Sequence, residues 1–306
     1  MNENRNLVSA GGDIVRRNKR YVIWFYLLNL IFGHFGASAF SDNVHGILDH
    51  SLNADKLLHG FNLAVFIELL ARPEFGPLSS STAPAMLFAI LFFLASLLFM
   101  PGVLLGYASD HRIPRDEFYR ACGRNVWRFV RLFLFFTVIA GIVAGILFWG
   151  LNALVTAADT TSNERLPFFT QLLGTVVILL VLTVIRIWFD LAQTDVVLRD
   201  QSATRKSIAA GFRKLRRNFG RLVGSYIVIA IVGLIVLMAG ILLWNAIVPA
   251  SSVVGAFVVG QATLFLLLAT RFWQRATAVA FYVRETAAPA DEEVHPLSVF
   301  AASMVP

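Results

Sequence analysis

A single cysteine, Cys122, stands among 306 residues. One thiol closes no intramolecular disulfide and supplies no CxxC redox or zinc motif. Charge is also scarce: Asp, Glu, Lys and Arg make up 15% of the chain, against about a quarter in a soluble globular domain. The sequence holds no Walker phosphate loop, GxSxG elbow, HExxH pair or paired-carboxylate site, so the common hydrolytic and phosphoryl-transfer chemistries find no machinery here. No cofactor is expected, and no enzymatic activity.

What is abundant is apolar surface. Hydrophobic residues reach 57%, with 27 Phe and 6 Trp, and mean hydropathy is +0.69. Charge-free runs long enough to cross ~30 Å of hydrocarbon recur along the chain. They lie at Tyr21–Phe40, Pro84–Tyr107, Leu132–Ala157 and Pro167–Ile185, followed by an uncharged stretch from Leu222 to Thr270. That last stretch is too long for one helix, and Pro249-Ala250-Ser251-Ser252 supplies a turn near its middle. Dividing it at Leu222–Val248 and Val253–Thr270 makes six transmembrane helices. Pro101 is expected to kink the second span or ease its exit.

The formal charge of +7 does not point to nucleic acid, because the basic residues flank the apolar runs. About 22 of the 26 Lys and Arg lie before span one, between spans two and three, between four and five, or from Arg271 onward; Lys56, Arg72 and Arg165 lie on the other side. The positive-inside rule then puts both termini in the cytoplasm, where the cations face anionic lipid headgroups. A rival reading takes Ala37-Ser38-Ala39 as a signal-peptidase site, leaving five spans; the long basic approach to span one argues against it. The outer segment Ser41–Thr82 contains Phe61–Leu70, apolar but too short to span, and expected to lie in the interface or to cap the outer mouth of the bundle. Residues 1–285 form the six-span membrane domain, and 286–306, with Asp291-Glu292-Glu293, a cytoplasmic tail expected to be disordered.

The chain also resembles itself. A shift of 90 residues lays Phe99–Gly150 on Phe189–Gly240 without a gap, with about eleven identities in some fifty positions, among them Asp110/Asp200, Arg115/Arg205 and Arg131-Leu132/Arg221-Leu222. Arg186-Ile187-Trp188 recurs as Arg271-Phe272-Trp273, and Arg199-Asp200 as Arg284-Glu285; Arg16-Arg17-Asn18 mirrors Arg216-Arg217-Asn218. The repeated unit is a basic approach, a span out, a span back and a polar exit. The expected fold is therefore an all-α, polytopic helical membrane bundle: six transmembrane helices as three tandem hairpins around a pseudo-threefold axis along the membrane normal. Asp116–Arg131 and Ser207–Arg221 read as interfacial cytoplasmic connector helices, apolar on one side and basic elsewhere.

The Trp188-Phe189-Asp190 exit, the Arg199-Asp200 pair and the stretch from Ala209-Ala210-Gly211-Phe212-Arg213 to Arg217-Asn218 resemble a loose group of bacterial six-helix inner-membrane proteins. They are also similar to the membrane domain attached to some bacterial glycerophosphodiester phosphodiesterases. The resemblance covers about half the chain. It implies an architecture and a bacterial cytoplasmic (inner) membrane location, not an activity, because no phosphodiesterase catalytic domain is present.

Ionisable groups inside spans mark candidate sites. Arg186 is the deepest, with Asp190 one turn later for a same-helix ion pair. Arg271 holds the matching place in the last hairpin, and His34 lies toward the outer end of span one. These four are the candidate polar or lipid-phosphate contacts. His45, Asp49, His50, Asp55 and His59 follow no metal-ligand spacing, and Gly141 and Gly145 form a small-xxx-small packing pair. The expected role is a membrane-embedded binding, assembly or envelope-maintenance component with membrane lipids as partners. The alternative is a transporter or channel using the polar set Asn29, His34, Asn152, Gln171, Asn245 and Gln261; a lipid-modifying enzyme is third.

Overall fold

The computed structural model describes residues 6–48, 78–109, 111–161, 165–201, 203–249 and 252–292. Residues 49–77, which hold the stretch expected to lie in the interface and most of the His and Asp residues of the expected outer segment, lie outside the described residues, as do 293–306. Every regular element among the described residues is an α-helix. In chain order they are α1 (Leu7–Arg17), α2 (Lys19–Leu48), α3 (Leu78–Ala108), α4 (Arg115–Asp159), α5 (Leu166–Leu198), α6 (Thr204–Arg217), α7 (Phe219–Ile247) and α8 (Val253–Glu292).

Six of these, α2, α3, α4, α5, α7 and α8, are long and apolar enough to cross a membrane. The chain is a multi-pass helical membrane protein. Helices are the solution physics allows, since in hydrocarbon each backbone N–H and C=O must be satisfied within its own segment. Much of their apolar surface is exposed, including Trp149, Leu154, Leu173 and Leu242, as a lipid-facing surface requires.

Local chemistry sets the helix ends. Pro114 precedes α4, whose first turn carries Asp116 and Glu117 against the positive end of the helix dipole. A proline also occupies the first turn of α5, where its missing N–H costs nothing. The turn foreseen at Pro249 separates α7 from α8. The Ser252 N–H donates to Pro249 O at 2.8 Å, and Ser252 Oγ accepts from the Gly255 N–H at 3.1 Å, an N-cap. Pro101 sits inside α3 without ending it. Asn18 and Asn218 interrupt the chain between α1 and α2 and between α6 and α7, each N–H turning back to a carbonyl of the preceding helix.

The described residues fall into two compact units. The first comprises Met1–Ile14, Pro101–Val228 and Trp273–Pro306. Its core joins Leu7 of α1, Ile187 and Leu191 of α5, Leu215 of α6, Leu222 and Tyr226 of α7, and Ala278 and Phe281 of α8. In it α4 runs along α5, where Gly174 meets Leu151 and the Phe136 and Phe189 rings meet edge-on at 5.1 Å. The second unit comprises Val15–Met100 and Ile229–Phe272. There Tyr26 donates to Gln261 Oε1 at 3.1 Å, and Phe35 of α2 stacks on Phe88 of α3. Gly36 faces the Ala85 backbone, and Gly233 and Gly240 of α7 face Thr270 and Thr263 of α8. Small residues at such crossings let backbones approach, which is how helices associate where lipid competes equally for apolar surface. Gly141 and Gly145 have no neighbour for an added Cβ and form no such contact here.

Two crossings within the first unit share a tryptophan donor beside a glycine packed on backbone, and a third packs a glycine on side chains. On α5 and α6, Trp188 Nε1 donates to Ile208 O at 2.8 Å, and a Cβ on Gly211 would lie 3.0 Å from Trp188 O and 3.1 Å from Ala192 N. On α8 and α1, Trp273 Nε1 donates to Val8 O at 2.7 Å, and a Cβ on Gly11 would lie 2.9 Å from Thr277 N. On α3 and α4 the glycine belongs to the other helix. A Cβ on Gly102 would lie 2.5 Å from the Phe118 ring and 2.8 Å from Cys122 Sγ.

Candidate functional site

The polar groups of the first unit gather along one stretch of α5. Asp190 accepts a hydrogen bond from Tyr226 Oη at 3.0 Å, and Arg186 Nε approaches the same carboxylate oxygen at 3.8 Å. One helical turn of α5 brings the two charges together, while Tyr226 arrives from α7. The side chain of Asp190 is 8% exposed and that of Arg186 is 27% exposed, so the anion is enclosed and the cation keeps an open side. Gln274 of α8 donates to Tyr226 O at 3.4 Å, and Arg275 interacts electrostatically with Asp190, Arg186, Tyr226 and Tyr107.

A second cluster follows five residues later. Asp195, buried, accepts from Tyr282 Oη at 2.5 Å, and Arg199 Nε lies 3.8 Å from it. Tyr282 is flanked by two cations: Lys214 Nζ lies 3.7 Å from the ring centroid and the Arg199 guanidinium 5.8 Å. Lys214 also pairs with Glu285 at 2.7 Å. Each buried carboxylate thus receives one tyrosine from another helix and one arginine from its own. Burying a carboxylate without such partners is costly.

At the end of α5, Asp200 adopts φ 49°, a left-handed conformation that Asp tolerates better than most residues. Half-exposed, it accepts from Arg128 at 2.6 Å and lies 3.3 Å from Arg124. The hydrogen bond from Arg128 holds its carboxyl below the usual value of 3.8, with the charge of Arg124 adding to the effect. The pair Asp116–Arg120, exposed on both sides at 3.6 Å, contributes little by comparison.

Of the four residues singled out in the sequence, the structure brings Arg186 and Asp190 together. His34 and Arg271 belong to the second unit, where both are exposed; the His34 ring meets Phe35 at 5.7 Å. Tyr226, Tyr282, Asp195, Lys214 and Arg275 complete the clusters and were not anticipated. Asp195 carried a usable signal, as a second carboxylate shortly after Asp190. The tyrosines carried none, since nothing local couples them to α5. Among the described residues no group of three or more His, Cys, Asp or Glu could hold a metal ion. Set against family models, curated proteins and solved structures, the chain matches none.

Proposed function

We propose that this chain is a non-enzymatic binding or assembly component of a bacterial inner membrane, which engages anionic headgroups at its cytoplasmic face. In this reading its six spans form three tandem hairpins, the amphipathic segments lie in the cytoplasmic interface, and both termini are cytoplasmic. The architecture suggested by the resemblance to phosphodiesterase membrane domains belongs to the same proposal. The observation that carries it is Arg186. Its one ionic partner within the described residues is Asp190 at 3.8 Å, beyond hydrogen-bond range, and the Asp190 oxygen it approaches already accepts from Tyr226. Arg186 follows Leu166, the first residue of α5, by about 30 Å of helix rise, one hydrocarbon thickness. An arginine with unused donors at that depth fits the phosphate of a lipid, to which a guanidinium binds in bidentate fashion.

The enclosed carboxylates favour this role over transport. Asp190 and Asp195 are committed to partners in their own chain, and Asn152, Gln171 and Asn245 are exposed on their helices. The test compares Arg186→Leu, Asp190→Asn and the double Leu variant for folding and for copurified lipid. Wild type and Asp190→Asn should retain anionic lipid, while both Arg186 variants lose it in vesicles of phosphatidylglycerol and regain nothing from inorganic phosphate. Equal lipid retention by all variants would overturn the proposal.

A further inference from the structure

We infer that the first unit is a closed ring of three equivalent seats, in which the N-terminal helix α1 fills the third seat and locks the end of the chain to its beginning. This rests on the three-hairpin reading and adds to it, because three hairpins in a row need not close on one another.

Residue equivalence carries the inference. A shift of 85 takes Trp188 to Trp273 and Ala192 to Thr277. A shift of 200 takes Val8 to Ile208 and Gly11 to Gly211. Each shift comes from sequence matches elsewhere, Arg186/Arg271 and Arg16-Arg17-Asn18/Arg216-Arg217-Asn218. Applied together, they convert the α5–α6 contacts into the α8–α1 contacts: the tryptophan donates to the same carbonyl position, and the glycine meets the same backbone. The shift of 90 takes Gly102 to Ala192 and Phe118 to Ile208, so the α3–α4 crossing occupies the corresponding place, with the glycine on the facing helix against side chains and Leu98 where the tryptophan would be. Ala121, at the place of Gly211, is buried there. Hairpin one therefore grips the approach to hairpin two, two grips three, and three grips one.

Burial repeats with the contacts. Leu104, Thr194 and Val279 are equivalent and all buried, as are Tyr107, Val197 and Tyr282. Val22, Leu132 and Leu222, equivalent on the outgoing helices, are buried too. The seats are alike in shape but not in charge. Equivalent positions hold Met100, Asp190 and Arg275, and the last two interact electrostatically. Opposite charges from two copies make those copies non-interchangeable, the registry use of a buried ion pair.

Two glycine variants and a control test this. Gly211→Leu and Gly11→Leu each force a side chain against backbone at a different seat, whereas a Cβ on Gly141 meets nothing. If α1 closes the ring, Gly11→Leu lowers the melting temperature as Gly211→Leu does, and Gly141→Leu does not. Gly11→Leu also speeds tryptic cleavage after Arg16 and Arg17 about tenfold or more, since cleavage tracks the undocked population. Trp273→Phe, which keeps the ring volume and loses the donor, gives a smaller rise should the leucine variant not fold. If Gly11→Leu and Trp273→Phe behave like the control while Gly211→Leu destabilises, the ring is open and the hairpin reading stands. If Gly211→Leu also behaves like the control, the hairpin reading falls as well.

Discussion

Asp190 faces partners of two kinds, a tyrosine that donates to it and the arginines Arg186 and Arg275 whose charge it offsets, and they can be separated. Replacing it by Asn keeps an acceptor for Tyr226 but takes the anion away from Arg186 and from Arg275. Breaking a buried pair from one side costs ~3–5 kcal/mol. The partial exposure of Arg186 brings the expected loss to roughly 2–3 kcal/mol, read as a lower unfolding temperature in detergent. Replacing both residues with Leu should recover much of that loss, because apolar pairs of similar volume often match buried ion pairs in stability. Asp200 makes a pH prediction. Its carboxyl is held below the ordinary value of 3.8 by Arg128, so its contribution is complete at neutral pH. It fades only as pH falls below that value through the lowered one. Stability measured from pH 7 to pH 3 should therefore fall less steeply at the acid end in Asp200→Asn than in wild type.

At the scale of elements, the N-cap of α8 is the simplest to test. Ser252→Ala removes the acceptor for the Gly255 N–H and should cost ~1 kcal/mol, while Ser252→Asp should restore it. The helices also show what local sequence can and cannot reveal. Six uncharged runs became six long helices because hydrocarbon demands a run of fixed length, and Pro249 marked the turn between the last two. That α4 is one continuous helix was less legible. A basic amphipathic stretch and an apolar span are joined at Arg128 with no break, whereas Asn218 at the equivalent place breaks α6 from α7. Asparagine alone does not make the joint, since Asn125 and Asn152 lie inside the continuous α4, and hydropathy does not register the difference. The clusters on α5 were half legible. Arg186 and Asp190 announce each other at one helical turn, but Tyr226 and Tyr282 reach their carboxylates across 36 and 87 residues, a distance at which only the packed fold assigns partners.

For the whole molecule, orientation is the first thing to measure. Reporter fusions at Ser109, Gln201 and Glu285 should give cytoplasmic signals, and fusions at Asp55, Asp159 and Ser251 external ones, as the distribution of Lys and Arg requires. A cytoplasmic signal at Asp55 would reverse the assignment. Cys122 is the single cysteine and is buried, so the same positions can be checked by introduced cysteines and an impermeant thiol reagent against a quiet background.

The unbroken α4 has a mechanical meaning. Its 45 residues make a rod about 68 Å long, more than twice the ~30 Å of hydrocarbon it crosses. Elsewhere the chain breaks between α6 and α7 at Asn218, and a break there would let α7 change its tilt while α6 keeps its own. A thicker or thinner bilayer is accommodated by tilt at a fraction of a kcal/mol per Å. A broken helix would absorb that adjustment at its joint, while α4 must swing its amphipathic end with its span. Lipid thickness would then be converted into movement of the amphipathic end of α4 and not of α6. Spin labels on the exposed Arg120 and Arg213, compared in short-chain and long-chain lipids, should show the first moving and the second holding still.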